Sequence, residues 1–167
     1  VEVIEGKDQN ESLSKVIRQL QIFKEKLADE VLLEQAQIER DGDKIIIRIL
    51  VRGSFYSGSA ELSNDFLPVL RKIGDIIANY GGRVVIEGHT DNLPVTSTKR
   101  YRSNWDLSGA RASSVADYLT EQGGVPKKRV IVRGLADTRP IAPNNTNQNR
   151  SKNRRIEIMI ESFDSNF

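Results

Sequence analysis

The sequence predicts an α/β two-layer sandwich, with helices stacked on one face of a single sheet and a long helix ahead of the core. Two observations carry this expectation. Short β-branched runs alternate with longer segments of helical period, and polar or glycine-bearing turns separate them. With 167 residues, the chain is long enough for one core of ordinary size plus an appended element.

The first element expected is a helix from about Glu11 to Ile38. That stretch has no proline or glycine, and Leu13, Val16, Ile17, Leu20, Phe23, Leu27 and Val31 recur at steps of three and four. Its apolar stripe needs cover: it packs on its own domain, pairs with its twin in a dimer, or detaches and extends as a tether. DGD at 41–43 ends it, and KIIIRILVRG at 44–53 reads as the first core strand. A helix from about Asn64 to Asn79 follows, facing inward with Phe66, Leu67, Leu70, Ile73, Ile76 and Ile77, and Pro68 fits only its first turn. Val84, Val85 and Ile86 then form a buried strand that ends near Thr90. Ser103 followed by Asp106 is a capping-box-like start for the next helix, whose stripe is Leu107, Ala110, Ala112, Val115, Ala116 and Leu119. Strands at about 129–133 and 154–160 complete the core, joined by the polar loop DTRPIAPNNTNQNRSK, and SFDSNF reads as a frayed tail. The domains expected are a helical linker at 1–43, the core at 44–162 and a tail at 163–167.

Two neighbouring elements set an acid beside a base. GGRVVIEGHTDN at 81–92 places Asp91 just beyond a strand end, and NWDLSGARA at 104–112 places Arg111 on the face of Leu107 near a helix start. A carboxylate holds an ammonium, a guanidinium grips a carboxylate through two parallel hydrogen bonds, and a helix N-terminus favours the same anion. The pattern suits a zwitterionic ligand better than a reaction.

The strings GHTDN, SNWDLSGARA and NRSKNRRIEI resemble the OmpA-like peptidoglycan-binding domain, over roughly residues 45–160. The tryptophan-containing SNWDLS is similar to the MotB and PomB stator proteins of the flagellar motor. The resemblance implies a βαβαβ core with a mixed sheet. It implies that the ligand is the peptidoglycan stem peptide, at the free end of diaminopimelate, with Asp91 and Arg111 as the paired charges and Thr90, Asn104, Leu107 and Arg154 beside them. Each of the last four also has a structural reading: Asn104 as organiser of the helix start, Leu107 as core, Arg154 as partner of a surface carboxylate. It further implies a periplasmic domain of an inner-membrane protein, a homodimer, a MotA or PomA partner reached through a membrane helix upstream of Val1, and contact with the ring proteins of the basal body. The chain departs from the stator pattern at Arg102 and Asn149, where proline and glycine are usual, and its LPVTSTKRYR insertion carries Lys99, Arg100 and Arg102.

Other function classes find little support. The formal charge is +2, with no nucleic-acid signature and no Gly-rich phosphate loop, so neither nucleic acid nor a nucleotide cofactor is expected. Cysteine is absent, which removes disulfides and most metal sites, and no apolar run is long enough to span a bilayer. His89 is the only histidine, and no GxSxG elbow accompanies it, so it is expected to brace the strand end through a ring hydrogen bond to the loop. A non-catalytic anchor is therefore expected, the alternatives being an anchor domain of an outer-membrane protein or lipoprotein and, more remotely, a wall hydrolase using His89 and Asp91.

Overall fold

The computed structural model describes residues 2–95 and 100–161. Lys99 of the basic insertion and the tail at 163–167 lie outside the described residues. In chain order the elements are helix α1 (Glu2–Lys26), a short helix α2 (Ala28–Leu32), strands β1 (Gln37–Asp41) and β2 (Lys44–Leu50), helix α3 (Leu67–Asn79), strand β3 (Arg83–His89), helix α4 (Asn104–Glu121), strand β4 (Val130–Gly134), helix α5 (Asn147–Asn153) and strand β5 (Arg155–Glu161). The strands form one mixed sheet in the order β1-β2-β5-β3-β4, in which β3 and β4 are parallel and the other pairs antiparallel. The expected two-layer α/β sandwich is observed, and β2 to β4 with α3 and α4 between them make its βαβαβ run.

Strand alternation sorts the sheet's two faces. Ile45, Ile47 and Ile49 of β2, Ile156, Ile158 and Ile160 of β5, and Val84 and Ile86 of β3 are buried in one core cluster with Leu70, Ile73 and Ile77 of α3 and Ala112, Val115 and Leu119 of α4. Val16 and Phe23 of α1 and the adjoining Leu27 join the same cluster, so the C-terminal half of α1 packs on its own domain. Leu13 and Ile17 stay exposed. The opposite face carries a charged row that crosses the whole sheet in register, from Gln37 through Arg48, Glu157 and Glu87 to Arg133.

Three expectations are corrected. The N-terminal helix does not run from 11 to 38: it begins at Glu2, breaks at Leu27 and gives way to α2, and Gln37–Asp41 pairs with β2 as an edge strand. The division placed at residue 43 thus falls in the turn between β1 and β2. The first core strand ends at Leu50 rather than at 53, and an irregular loop with Gly53 and Gly58 at positive φ follows. The loop between the last two strands contains a helix, α5, whose start Thr146 caps by accepting from the Asn149 amide at 3.1 Å.

Helix α4 rides unusually close to the sheet. A Cβ on Gly88 of β3 would overlap the Ser108 carbonyl, and one on Gly134 of β4 would lie 2.6 Å from the Gly109 amide nitrogen. Glycine at these two positions sets the height of α4 over the strand ends, and with it the separation between the loop after β3 and the side chains of α4's first turns.

Candidate functional site

A cleft of about 460 Å³ opens at the C-terminal end of β3. The loop after β2 supplies one wall with Val51, Arg52, Gly53, Phe55, Ser57 and Gly58. The loop after β3 supplies Thr90, Asp91, Leu93, Pro94 and Val95, while α4 contributes Asn104, Leu107 and Arg111 and the start of β5 is flanked by Arg154. All six residues predicted from the sequence therefore line one cavity.

Asp91 is only 6% exposed. Its Oδ1 accepts from the Leu93 amide at 3.0 Å, and its Oδ2 accepts from Arg154 Nη1 at 2.6 Å. Arg154 is thus paired to a carboxylate, but to the cleft's own rather than to a surface one. Thr90 fixes the carboxylate's backbone: its amide donates to the Ala136 carbonyl and its hydroxyl donates to the Asp91 carbonyl, each at 2.8 Å. Asn104 ties α4 to the same loop, with Nδ2 donating to the Leu93 carbonyl at 3.0 Å. Leu107 is an apolar part of the wall, 8% exposed.

The start of α4 carries the Ser103 cap that its sequence predicts, while Asp106 reaches past the N-cap to the amide before it. Ser103 Oγ accepts from the Asp106 amide at 3.2 Å, and Asp106 Oδ2 accepts from the Arg102 amide at 2.9 Å. Two turns on, Arg111 is 4% exposed. Its Nε donates to the Ser59 carbonyl at 2.9 Å, and its guanidinium carbon lies 5.6 Å from the centre of the Phe55 ring. Among the described residues no carboxylate pairs with it directly, and Nε is the one nitrogen of this group with a protein acceptor. The two Nη groups are the donors left for a ligand.

Burial pulls the Arg111 pKa down to about 10, against an opposing pull from Tyr101; the charge of Arg154 lowers it further and that of Asp91 raises it. At neutral pH the guanidinium is still charged, so the protein holds a desolvated cation whose cost an incoming carboxylate would offset. With Arg52, Arg111 and Arg154 facing the single carboxylate of Asp91, the cleft has a clear bias toward anions.

His89 departs from its expected role. It is 2% exposed on the charged face of the sheet, with Nε2 at 3.4 Å from Glu87 Oε1 and 3.7 Å from Glu157 Oε2, and neither ring nitrogen bonds to the loop. Glu87, His89 and Glu157 offer ligand atoms close enough for a metal ion. Their charges are already engaged, however: Arg133 pairs with Glu87 at 3.3 Å, while Arg48 at 3.2 Å and Arg155 at 3.3 Å pair with Glu157. The grouping is better described as a buried ion-pair network. His89 and then Arg133 hold the Glu87 carboxyl below its ordinary pKa, against the opposing effect of burial.

Sequence reasoning missed Arg52, Phe55 and the Ser59 carbonyl. The glycines at 53 and 58 were the available signal, since they mark a loop where the β-branched run had suggested a continuing strand.

Comparison with known proteins places this geometry in a wider set. The profile of the OmpA family matches residues 54–154, a span that includes most of the cleft. The chain is 36% identical over 135 residues to the uncharacterized protein YtxE of Bacillus subtilis, covering 81% of this chain and 55% of that protein. To Motility protein B of the same organism it is 31% identical over 151 residues, covering 90% of this chain and 56% of that protein. The chain therefore spans about half the length of these curated relatives. Among solved structures, the cell wall anchor of the T6SS from Pseudomonas aeruginosa superposes with a TM-score of 0.79 at 36% identity, covering 84% of this chain and 97% of that one.

Proposed function

The chain belongs to the OmpA family, and from that premise we propose that its cleft binds the stem peptide of peptidoglycan without chemistry, as a wall anchor. The observation that carries this reading is Arg111: a buried, charged guanidinium that pairs with no carboxylate among the described residues, held by Ser59 and Phe55 beside the Asp91–Arg154 pair. The free end of diaminopimelate carries one carboxylate and one ammonium. The carboxylate would take the Nη donors of Arg111, and the ammonium would join Arg154 as a further donor to Asp91. Thr90 and Asn104 hold the acid-bearing loop in place, and Leu107 covers the aliphatic chain.

At the finer level, the anchor serves a flagellar motor stator in the periplasm, as part of an inner-membrane protein and as one of two copies. The support is the 90% coverage of this chain by its alignment to Motility protein B. A second reading, an anchor for another envelope assembly, has the likeness to a T6SS cell wall anchor in its favour. Joining the chain to the membrane helix of a stator B subunit and scoring motility separates the two: restored swimming supports the stator reading. A hydrolase would need His89, which faces Glu87 and Glu157 and is not among the residues lining the cleft.

The test of the binding function is co-sedimentation with purified diaminopimelate-type peptidoglycan, alongside Asp91→Asn and Arg111→Ala, with circular dichroism to show that both variants remain folded. Loss of either side of the zwitterion contact is expected to cost about 2–5 kcal/mol if the ligand desolvates the pair. Equal binding by all three proteins would refute the site.

A further inference from the structure

We infer that Arg52 forms a second anion subsite in the cleft, so that the peptide this domain selects carries a second free carboxylate besides the zwitterionic end. The inference rests on the peptide-binding reading above and deepens it. Arg52 lines the same cavity as Asp91 and Arg111, on the loop after β2, where it also borders a neighbouring pocket that includes Glu34, and it is exposed. Among the described residues it pairs with no carboxylate, in contrast to Arg154, whose guanidinium is committed to Asp91 at 2.6 Å.

The charge count makes the case. Once Asp91 and Arg154 neutralise each other, two guanidiniums remain to be matched, those of Arg111 and Arg52. One ligand carboxylate satisfies Arg111, and the ligand's ammonium adds positive charge beside Asp91. A ligand with a single carboxylate therefore leaves Arg52 unmatched, and a second carboxylate on the same peptide supplies its partner and reduces, without cancelling, the positive excess of the occupied cleft.

The backbone places Arg52 next to the site. The chain leaves β2 at Leu50, the Val51 amide donates to the Arg154 carbonyl at 2.9 Å, and Gly53 turns at φ +89°. Arg52 is thus held between a residue hydrogen-bonded to the Arg154 backbone and a tight turn, in the loop that lines the cleft together with Asp91 and Arg111. A stem peptide supplies a suitable group: the α-carboxylate of its glutamate lies next to the diaminopimelate residue and is free unless amidated. A site built this way distinguishes peptide amidated at the glutamate from peptide with that carboxylate free, a selectivity that Asp91 and Arg111 alone do not provide.

The experiment is a calorimetric cycle with the whole chain at low ionic strength. Wild type, Arg52→Gln and Arg52→Lys are titrated with a synthetic alanyl-γ-glutamyl-diaminopimelate peptide and with analogues amidated, one at a time, at each carboxylate outside the free diaminopimelate end. Wild type should lose about fivefold to tenfold in affinity for one of these analogues, the range expected for a partly exposed charge pair. Arg52→Gln should bind that analogue and the free acid within about twofold of each other, and Arg52→Lys should keep part of the preference. An Arg52→Gln variant that retains the wild-type preference, or a wild type that binds every peptide equally, would overturn the subsite while leaving the binding function standing. Failure of wild type to bind any of these peptides would overturn both.

Discussion

Arg111 carries the account at the scale of single residues, because it is costly to the folded protein and useful only when occupied. Its guanidinium is nearly inaccessible and receives one carbonyl and one aromatic face but no carboxylate among the described residues. Replacing it with methionine removes the desolvation cost and keeps the volume. Because the Ser59 carbonyl loses its donor, the two effects offset, and Arg111→Met should leave the unliganded domain within about 1 kcal/mol of wild type in urea titrations, while abolishing peptide binding. A variant destabilised by several kcal/mol would show that the arginine is structural. The pH dependence follows from the same burial. The folded-state pKa of about 10 lies below the ordinary arginine value, so above pH 10 the folded state releases this proton before the unfolded state does. The group's contribution to stability then rises with pH while its grip on an anion falls. Peptide affinity read by calorimetry should be level through neutral pH, where the Arg111 guanidinium stays charged.

Asp91 and Arg111 were legible in the sequence because each sits in a strong local signal, one in the polar turn after a buried strand and the other one helical repeat beyond Leu107. Arg154 was named from its motif, but its pairing with Asp91 was not legible. Arg154 lies 63 residues away, and only the antiparallel register that pairs His89 with Arg155 brings it to the acid. Arg52 and Phe55 were missed for a different reason: they belong to a loop with no periodicity, attached to a strand whose apolar run gave no clear end.

Among elements, α4 and the ends of β3 and β4 determine whether the site exists. Gly88 and Gly134 let α4 settle onto the strands, and α4 in turn delivers Asn104, Leu107 and Arg111 to one side of the cleft. Gly88→Ala pushes a methyl group into the Ser108 carbonyl, and it should cost about 1–3 kcal/mol in chemical denaturation, at the upper end because backbone rather than a side chain must yield. Peptide binding should weaken as well, since the displacement falls on the site. A Gly88→Ala protein with wild-type stability would show that α4 has room to move. The charged side of the sheet gives a prediction about acid. Glu87 is held below its ordinary pKa by His89 and Arg133, so its contribution to stability is present above the unfolded value of 4.5 and is lost as pH falls through the lowered folded value. Urea midpoints measured from pH 6 to pH 3 should fall less steeply in Glu87→Gln than in wild type.

The elements that the sequence misplaced share a physical character. Strand β1 is QIERD, with a single apolar residue, and its conformation is fixed by pairing with β2 rather than by its own pattern. Helix α5 is NQNRSKN, with no apolar stripe at all, and it depends on the Thr146 cap and on Asn153, whose side chain binds the backbone of Ile141 and Ala142. Elements of this kind are decided by partners distant in sequence, which a reading of local periodicity does not reach.

For the whole molecule, the architecture separates support from recognition. An apolar layer between the sheet and helices α1, α3 and α4 supplies the stability, and the cleft at one end of the sheet holds the charges that packing alone would disfavour. Such a division suits an anchor, which must bear load while its site binds and releases. The fold class was readable from alternating strand and helix patterns; the covering of the core by α1 was left open between a twin and its own domain, and Val16, Phe23 and Leu27 are found on the latter.

The measurement that tests the central claim most directly is a heteronuclear NMR titration of the intact chain with the synthetic stem peptide, observing backbone amides and arginine Nε–H groups. Saturable shifts concentrated on Thr90, Asp91, Leu93, Asn104 and the Arg111 Nε–H, absent in Arg111→Met, are the predicted result. Shifts confined to other surfaces, or an unperturbed Arg111 Nε–H at saturation, would contradict the claim that this cleft is where the domain holds the wall.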